Sequence, residues 1–357
     1  MSKSRVFGLD LTRSVAILLV VVSHGLVLWP DEPGIGAALS KIPDGVDLFF
    51  GISGFLVGSI LLNNMGRPRW LTTFWTRWWM RTLPAYFTVL IVSLVAVQMG
   101  WLANHSKMAW WRFATFTQNT FTPLTGFFWE SWSLTVQQWG YLLLPLFLAL
   151  GSGVSECKQR LFLMGSVALV CTGWGWRWHL MDVEVDPFWW DVWFRKLAPC
   201  RMDAIGTGLL MALWKVSHPS TFTRWRWAAA ALGVAILVVT IVADVEPNGL
   251  YKKVVHLGLR AAAIAMLVPA IDHWKRWPTR GGATIAYLSA VSYALYLVNL
   301  GLIATPMRRV LSEWEISGGM GWYVLYLLIA MGAAAVLHEL VEKPVSRMRT
   351  QWAKRPS

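Results

Sequence analysis

The sequence predicts an all-α fold: a polytopic membrane bundle of about ten transmembrane helices with both termini in the cytoplasm. Three observations carry this. Of the 357 residues 56% are hydrophobic and only 14% charged, with a mean hydropathy of +0.48, outside the profile of soluble domains. Apolar runs of about 17–22 residues, long enough to cross a bilayer, recur along the whole chain. Charge alternates with them. With the N-terminus inside, the inner segments hold 20 of the 32 Lys and Arg and the outer loops 10, while Arg201 and Arg260 fall within spans. The acids run the opposite way, with Asp31, Glu32, Asp182, Glu184, Asp186, Asp191, Asp244, Glu246, Glu313 and Glu315 all outside. This is the positive-inside bias of a membrane protein. It makes the net charge of +13 a matter of topology rather than a sign of a nucleic-acid partner.

The spans are expected near 13–29, 46–63, 82–100, 134–150, 161–176, 199–216, 226–243, 257–272, 284–304 and 321–341. The first follows a short basic region but has no small-x-small cleavage site after it, so it reads as a retained span rather than a signal peptide. It carries Arg13 at its start and His24 deep inside. Eleven steps of about 100° return a helical side chain to within about 20° of its first direction, roughly 16 Å further along. Arg13 and His24 are therefore expected on one face, and ionisable groups inside a bilayer usually mark a pathway or a site.

A loop rich in Pro and Gly, 30–44, leads to the second span, with Asp47 at its outer end and Ser53-Gly54 near its middle, where small residues allow close packing. The inner loop that follows carries Arg67, Arg69, Arg77 and Arg81. Four arginines at the surface of Arg13 are either topology signals or a grip for phosphates, which guanidinium pairs in a bidentate way. Pro84 suits the first turn of a helix. On the fourth span Ser133, Gln137 and Tyr141 are spaced by four and line one stripe, a cavity wall or a set of interhelical hydrogen bonds.

The third outer loop, 177–199, mixes Trp189, Trp190 and Trp193 with acids, which suits interfacial anchoring or sugar binding. Arg201 and Asp203 open the sixth span and His256 and Arg260 the eighth, positions where ion pairing between helices is the plain alternative to a site. Asn299 lies toward the outside of the ninth span, and Pro344 is expected to stop the tenth. Cys157, Cys171 and Cys200 are not placed to form a disulfide, and they show no metal-ligand spacing. Residues 1–345 read as one transmembrane domain and 346–357 as a short basic cytoplasmic tail, with no internal repeat of the transporter type.

Taken together, these stretches resemble the acyltransferase-3 family of integral membrane proteins over nearly the whole chain. The resemblance rests on Arg13 and His24 with ten residues between them, on Gly45–Phe50 with Ser53–Phe55, and on Arg81, Pro84 and Tyr86. Trp132-Ser133-Leu134, Arg201–Ala204, Tyr293–Leu297 and Glu342-Lys343-Pro344 add to it. It implies transfer of an acyl group, commonly acetyl, from cytoplasmic acyl-CoA to a hydroxyl of a saccharide or glycan-type acceptor, in the bacterial inner (plasma) membrane and without a metal. Membrane lipid, acyl-CoA and this acceptor are then its partners. The resemblance also implies that Arg13, Arg77 and Arg81 hold the CoA phosphates. His24 is then the general base, with Asp47, Gln137 and Asn299 as the other catalytic positions, and Ser133, Tyr141, Arg201 and Asp203 hold the acceptor. Neutral imidazole is well poised to take a hydroxyl proton near pH 7.

Two positions depart from the family. Gln137 stands where glutamate is usual and Asn299 where histidine is usual, so neither can relay a proton. A transporter or flippase of a lipid-linked or small polar substrate, with the fold kept and the chemistry lost, is the alternative that these departures raise. No hydrolase-like domain follows residue 341, so acyl transfer is expected to finish within the membrane domain.

Overall fold

The computed structural model describes residues 5–29, 45–104, 107–152, 157–243, 246–277 and 280–352. The loop 30–44 with Asp31 and Glu32, Asp244, and the end of the basic tail lie outside the described residues. Every regular element described is helical, and no strand occurs among the described residues.

In chain order the main helices are α1 (Phe7–Gly25), α2 (Gly45–Asn64), α3 (Trp70–Gln98), α4 (Ser131–Gly151), α5 (Lys158–His179) and α6 (Met202–Ser217). They are followed by α7 (Arg226–Val242), α8 (His256–His273), α9 (Gly282–Val298), α10 (Met320–Leu337) and α11 (Lys343–Trp352). The first ten occupy the ten expected positions. Seven segments, built on α1 to α4 and α8 to α10, are long and apolar enough to cross a membrane. The other three fall short for plain reasons. At 17 and 16 residues α7 and α6 are short, and α5 carries Lys158, Arg160 and Arg177.

Several local expectations are corrected. Pro84 sits in the interior of α3 rather than in a first turn, because the helix starts at Trp70 and already includes Arg77 and Arg81. Those two arginines, one turn apart, therefore share a face. Pro344 does not end the chain's helical structure. A π-helical turn, His338–Glu342, runs straight into α11, so the helical run continues through Pro344. Arg177, expected in an outer loop, lies in the last turn of α5 and is fully buried.

The tightest crossing is that of α2 with α6. A Cβ on Gly54 would overlap the Ile205 carbonyl, and one on Gly208 the Gly51 carbonyl, so the two backbones touch there. Small residues at a membrane crossing allow this approach, and the packing reading of Gly54 is the one the structure bears out. Gly208→Ala is expected to destabilise the protein by about 1–3 kcal/mol through overpacking, read as a lower melting temperature in detergent.

Candidate active site

α1, α2, α3, α4, α9 and α11 together enclose a cavity of about 1080 Å³. One end is arginine. Arg13 comes from α1, Arg67 from the turn before α3, Arg77 and Arg81 from α3, and Arg349 from α11. Among the described residues no Asp or Glu lines this space. Arg13 lies in the field of Arg81, and Arg349 in that of Arg81 and Arg77. Clustered like charges without a lining carboxylate make a site that favours an anion.

The wall of the cavity is held by hydrogen bonds between helices. Tyr293 Oη on α9 donates to the Thr82 carbonyl on α3 at 2.9 Å, and Trp75 Nε1 donates to the Tyr141 carbonyl on α4 at 3.1 Å. Ser53, Ser133, Gln137 and Tyr296 carry the lining away from the arginines. Tyr141, the third residue of the expected stripe, is not part of the lining. Its ring is buried edge-on against Trp78, with centroids 4.5 Å apart.

Beyond the cavity lies His24. Ser133 Oγ and Tyr296 Oη are 2.8 Å apart, and Tyr296 Oη also donates to the Glu130 carbonyl at 2.8 Å. One turn on from Tyr296, α9 ends at Val298 and Asn299 opens a π-helical turn, Asn299–Ala304. Asn299 Oδ1 stands 2.6 Å from His24 Nδ1. Asn299 Nδ2 is committed to its own helix, donating to the carbonyls of Leu295 at 2.9 Å and Tyr296 at 2.8 Å. Its oxygen must therefore be the atom that faces the imidazole. In the neutral ring Nδ1 then carries the proton and Nε2 the lone pair. Tyr326 Oη, 3.3 Å from the same Oδ1 and 3.1 Å from the Val21 carbonyl, packs on the far side.

The remaining expected residues lie elsewhere. Asp47 on α2 forms a buried ion pair with Arg201, which leaves Asp47 Oδ2 and Arg201 Nε and Nη1 without hydrogen-bond partners among the described residues. Asp203 pairs with Arg177 at 2.7 Å, both side chains fully buried, so it is not brought to the cavity. Asp10, just before Arg13, is held by Arg5 at 2.9 Å and by Ser289 Oγ at 2.6 Å.

Two residues at the site were not singled out by the sequence. Arg349 carried no signal, since a basic tail reads as topology until α11 is seen to pack on α3. Glu130, the residue before α4, is buried, and its Oε1 accepts from Gly301 N at 2.6 Å inside the turn that bears Asn299. Burial pushes its carboxyl up from 4.5 to about 7. The folded protein thus keeps this proton up to about pH 7, whereas the unfolded chain releases it near 4.5. Stability falls as pH rises through that window and levels off above it. Glu130→Gln is expected to be more stable than wild type at pH 8 by about 3 kcal/mol and nearly equal to it at about pH 4.5, checked by melting in detergent at both values.

The family model described as "Acyltransferase domain", acyltransferase-3, matches residues 6–339. The chain belongs to the acyltransferase-3 family. YrhL of Bacillus subtilis (strain 168), named provisionally as a peptidoglycan O-acetyltransferase, is 24% identical over 96% of this chain and 55% of its own length. SACOL0978 of Staphylococcus aureus (strain COL), named provisionally as an O-acetyltransferase, is 23% identical over 94% of this chain and 56% of its own. The O-acetyltransferase OatA of Staphylococcus aureus (strain NCTC 8325 / PS 47) is 29% identical over 45% of this chain and 28% of its own. This acyltransferase-3 chain thus spans about half the length of the first two relatives. No solved structure matches it.

Proposed function

We propose that the chain is a membrane O-acyltransferase that moves an acyl group, acetyl by default, from cytoplasmic acyl-CoA to a hydroxyl of a saccharide or glycan-type acceptor. The observation that carries this reading is the cavity itself: five arginines without a lining carboxylate at one end, and Ser133 and Tyr296 leading toward Asn299 and His24 at the other. CoA has the matching shape, with phosphates at one end and a thioester at the end of a long arm. The arginines grip the phosphates as bidentate partners. The arm lies along the cavity with its thioester toward Ser133 and Tyr296.

His24 Nε2 then takes the proton of the acceptor hydroxyl as its oxygen attacks the thioester carbonyl. The C–S bond breaks, the acyl group stays on the acceptor oxygen, and the proton passes from Nε2 to the departing thiolate. Asn299 fixes the tautomer that this requires, so an amide at position 299 serves the base without relaying a proton. The protein sits in the bacterial inner membrane with ten spans and cytoplasmic termini.

The test is acetyl transfer from labelled acetyl-CoA by purified protein. Arg81→Ala is expected to raise KM for acetyl-CoA about 10–100-fold, the loss of one charged hydrogen-bonded contact. A wild type that moves a lipid-linked sugar between leaflets with no affinity for CoA would overturn the reading in favour of a flippase.

A further inference from the structure

A second cavity, about 870 Å³, lies between two segments that contribute no lining residue to the arginine cavity. One connects α3 to α4 and the other connects α5 to α6, so connectivity puts both at the end of the bundle away from the arginines. Lys107, Trp111 and Arg112 from the first face Glu184, Trp189 and Trp193 from the second.

Both walls are braced. Asn104 clasps Met108 through two hydrogen bonds of 3.2 Å, and Arg112 Nη1 reaches Thr122 Oγ1 at 3.3 Å. Asp186 Oδ1 caps the turn that carries Trp189, accepting from its N–H at 2.8 Å, and Asn248 Oδ1 accepts from Val185 N at 2.9 Å. Trp111 remains 52% and Trp189 40% exposed. Tryptophans that anchor a protein in the interface spread outward toward lipid. These converge from two segments on one cleft, among charged groups.

We propose that this cleft binds the saccharide acceptor, and that the sugar carries an acidic group. Indole faces suit the C–H faces of a pyranose. Glu184 accepts from hydroxyls, and Lys107 and Arg112 outnumber it, which favours a carboxylate on the ligand. A few convergent polar groups among aromatic walls are the usual make-up of a small-molecule site. The proposal rests on the acyltransferase reading for the acceptor's role, but the binding can be measured without it.

The experiment is saturation-transfer NMR on the full chain in detergent, with N-acetylglucosaminyl-N-acetylmuramic acid as probe and chitobiose as its neutral counterpart. The acidic disaccharide is expected to bind the more tightly. Trp111→Ala and Trp189→Ala are each expected to weaken it about ten-fold while acetyl-CoA binding stays unchanged. Trp111→Phe, which keeps an aromatic face, recovers most of the loss. Absence of binding by either disaccharide, or equal binding by the alanine variants, overturns the proposal. Sugar binding in a protein that does not bind acetyl-CoA sinks the donor reading and leaves the cleft assignment standing.

Discussion

His24→Ala is expected to lower acetyl transfer about 10²–10⁴-fold, the range a positioned general base contributes, with acetyl-CoA affinity unchanged. The two effects separate because His24 is not among the residues lining the arginine cavity. Asn299→Leu removes the acceptor that keeps the proton on Nδ1 and is expected to give a smaller fall in kcat, also without a change in donor KM. The measurement is kcat and KM for acetyl-CoA, together with direct CoA binding. Wild-type kcat in His24→Ala would remove the base assignment and leave the cavity unaffected.

Asp203→Ala is expected to destabilise the protein by about 3–5 kcal/mol, because it strands the Arg177 guanidinium in the bundle. Arg177 also donates to the Val254 carbonyl at 3.0 Å and to the Cys200 carbonyl, so it ties α5 to the segments before α6 and α8. Replacing both partners by apolar side chains of similar volume is expected to recover much of that loss. Folded yield and melting temperature read the effect. An Asp203→Ala protein that melts like wild type but loses acceptor affinity would return Asp203 to the acceptor site.

The all-α membrane class was legible in the sequence because each span must satisfy its own backbone in lipid, which forces long apolar runs. The line from Arg13 to His24 was legible because both lie on one helix with a fixed period. What joins them to their partners was not. Asn299 is 275 residues from His24, and no local periodicity brings two such residues to 2.6 Å. Arg349 and Glu130 were hidden in another way: one by a proline that the helical run passes through instead of ending at, the other by standing just before a span. Arg177 shows the opposite error, since a charge near a helix end looks solvated until its partner is found.

The arginine end of the cavity has a consequence for turnover. On the reading proposed above it holds the donor by its phosphates, and those are the same before and after the acyl group leaves. Spent CoA therefore competes with fresh donor at nearly equal affinity. On that reading the rate follows the ratio of acyl-CoA to CoA, which ties acyl transfer to the supply of fresh donor.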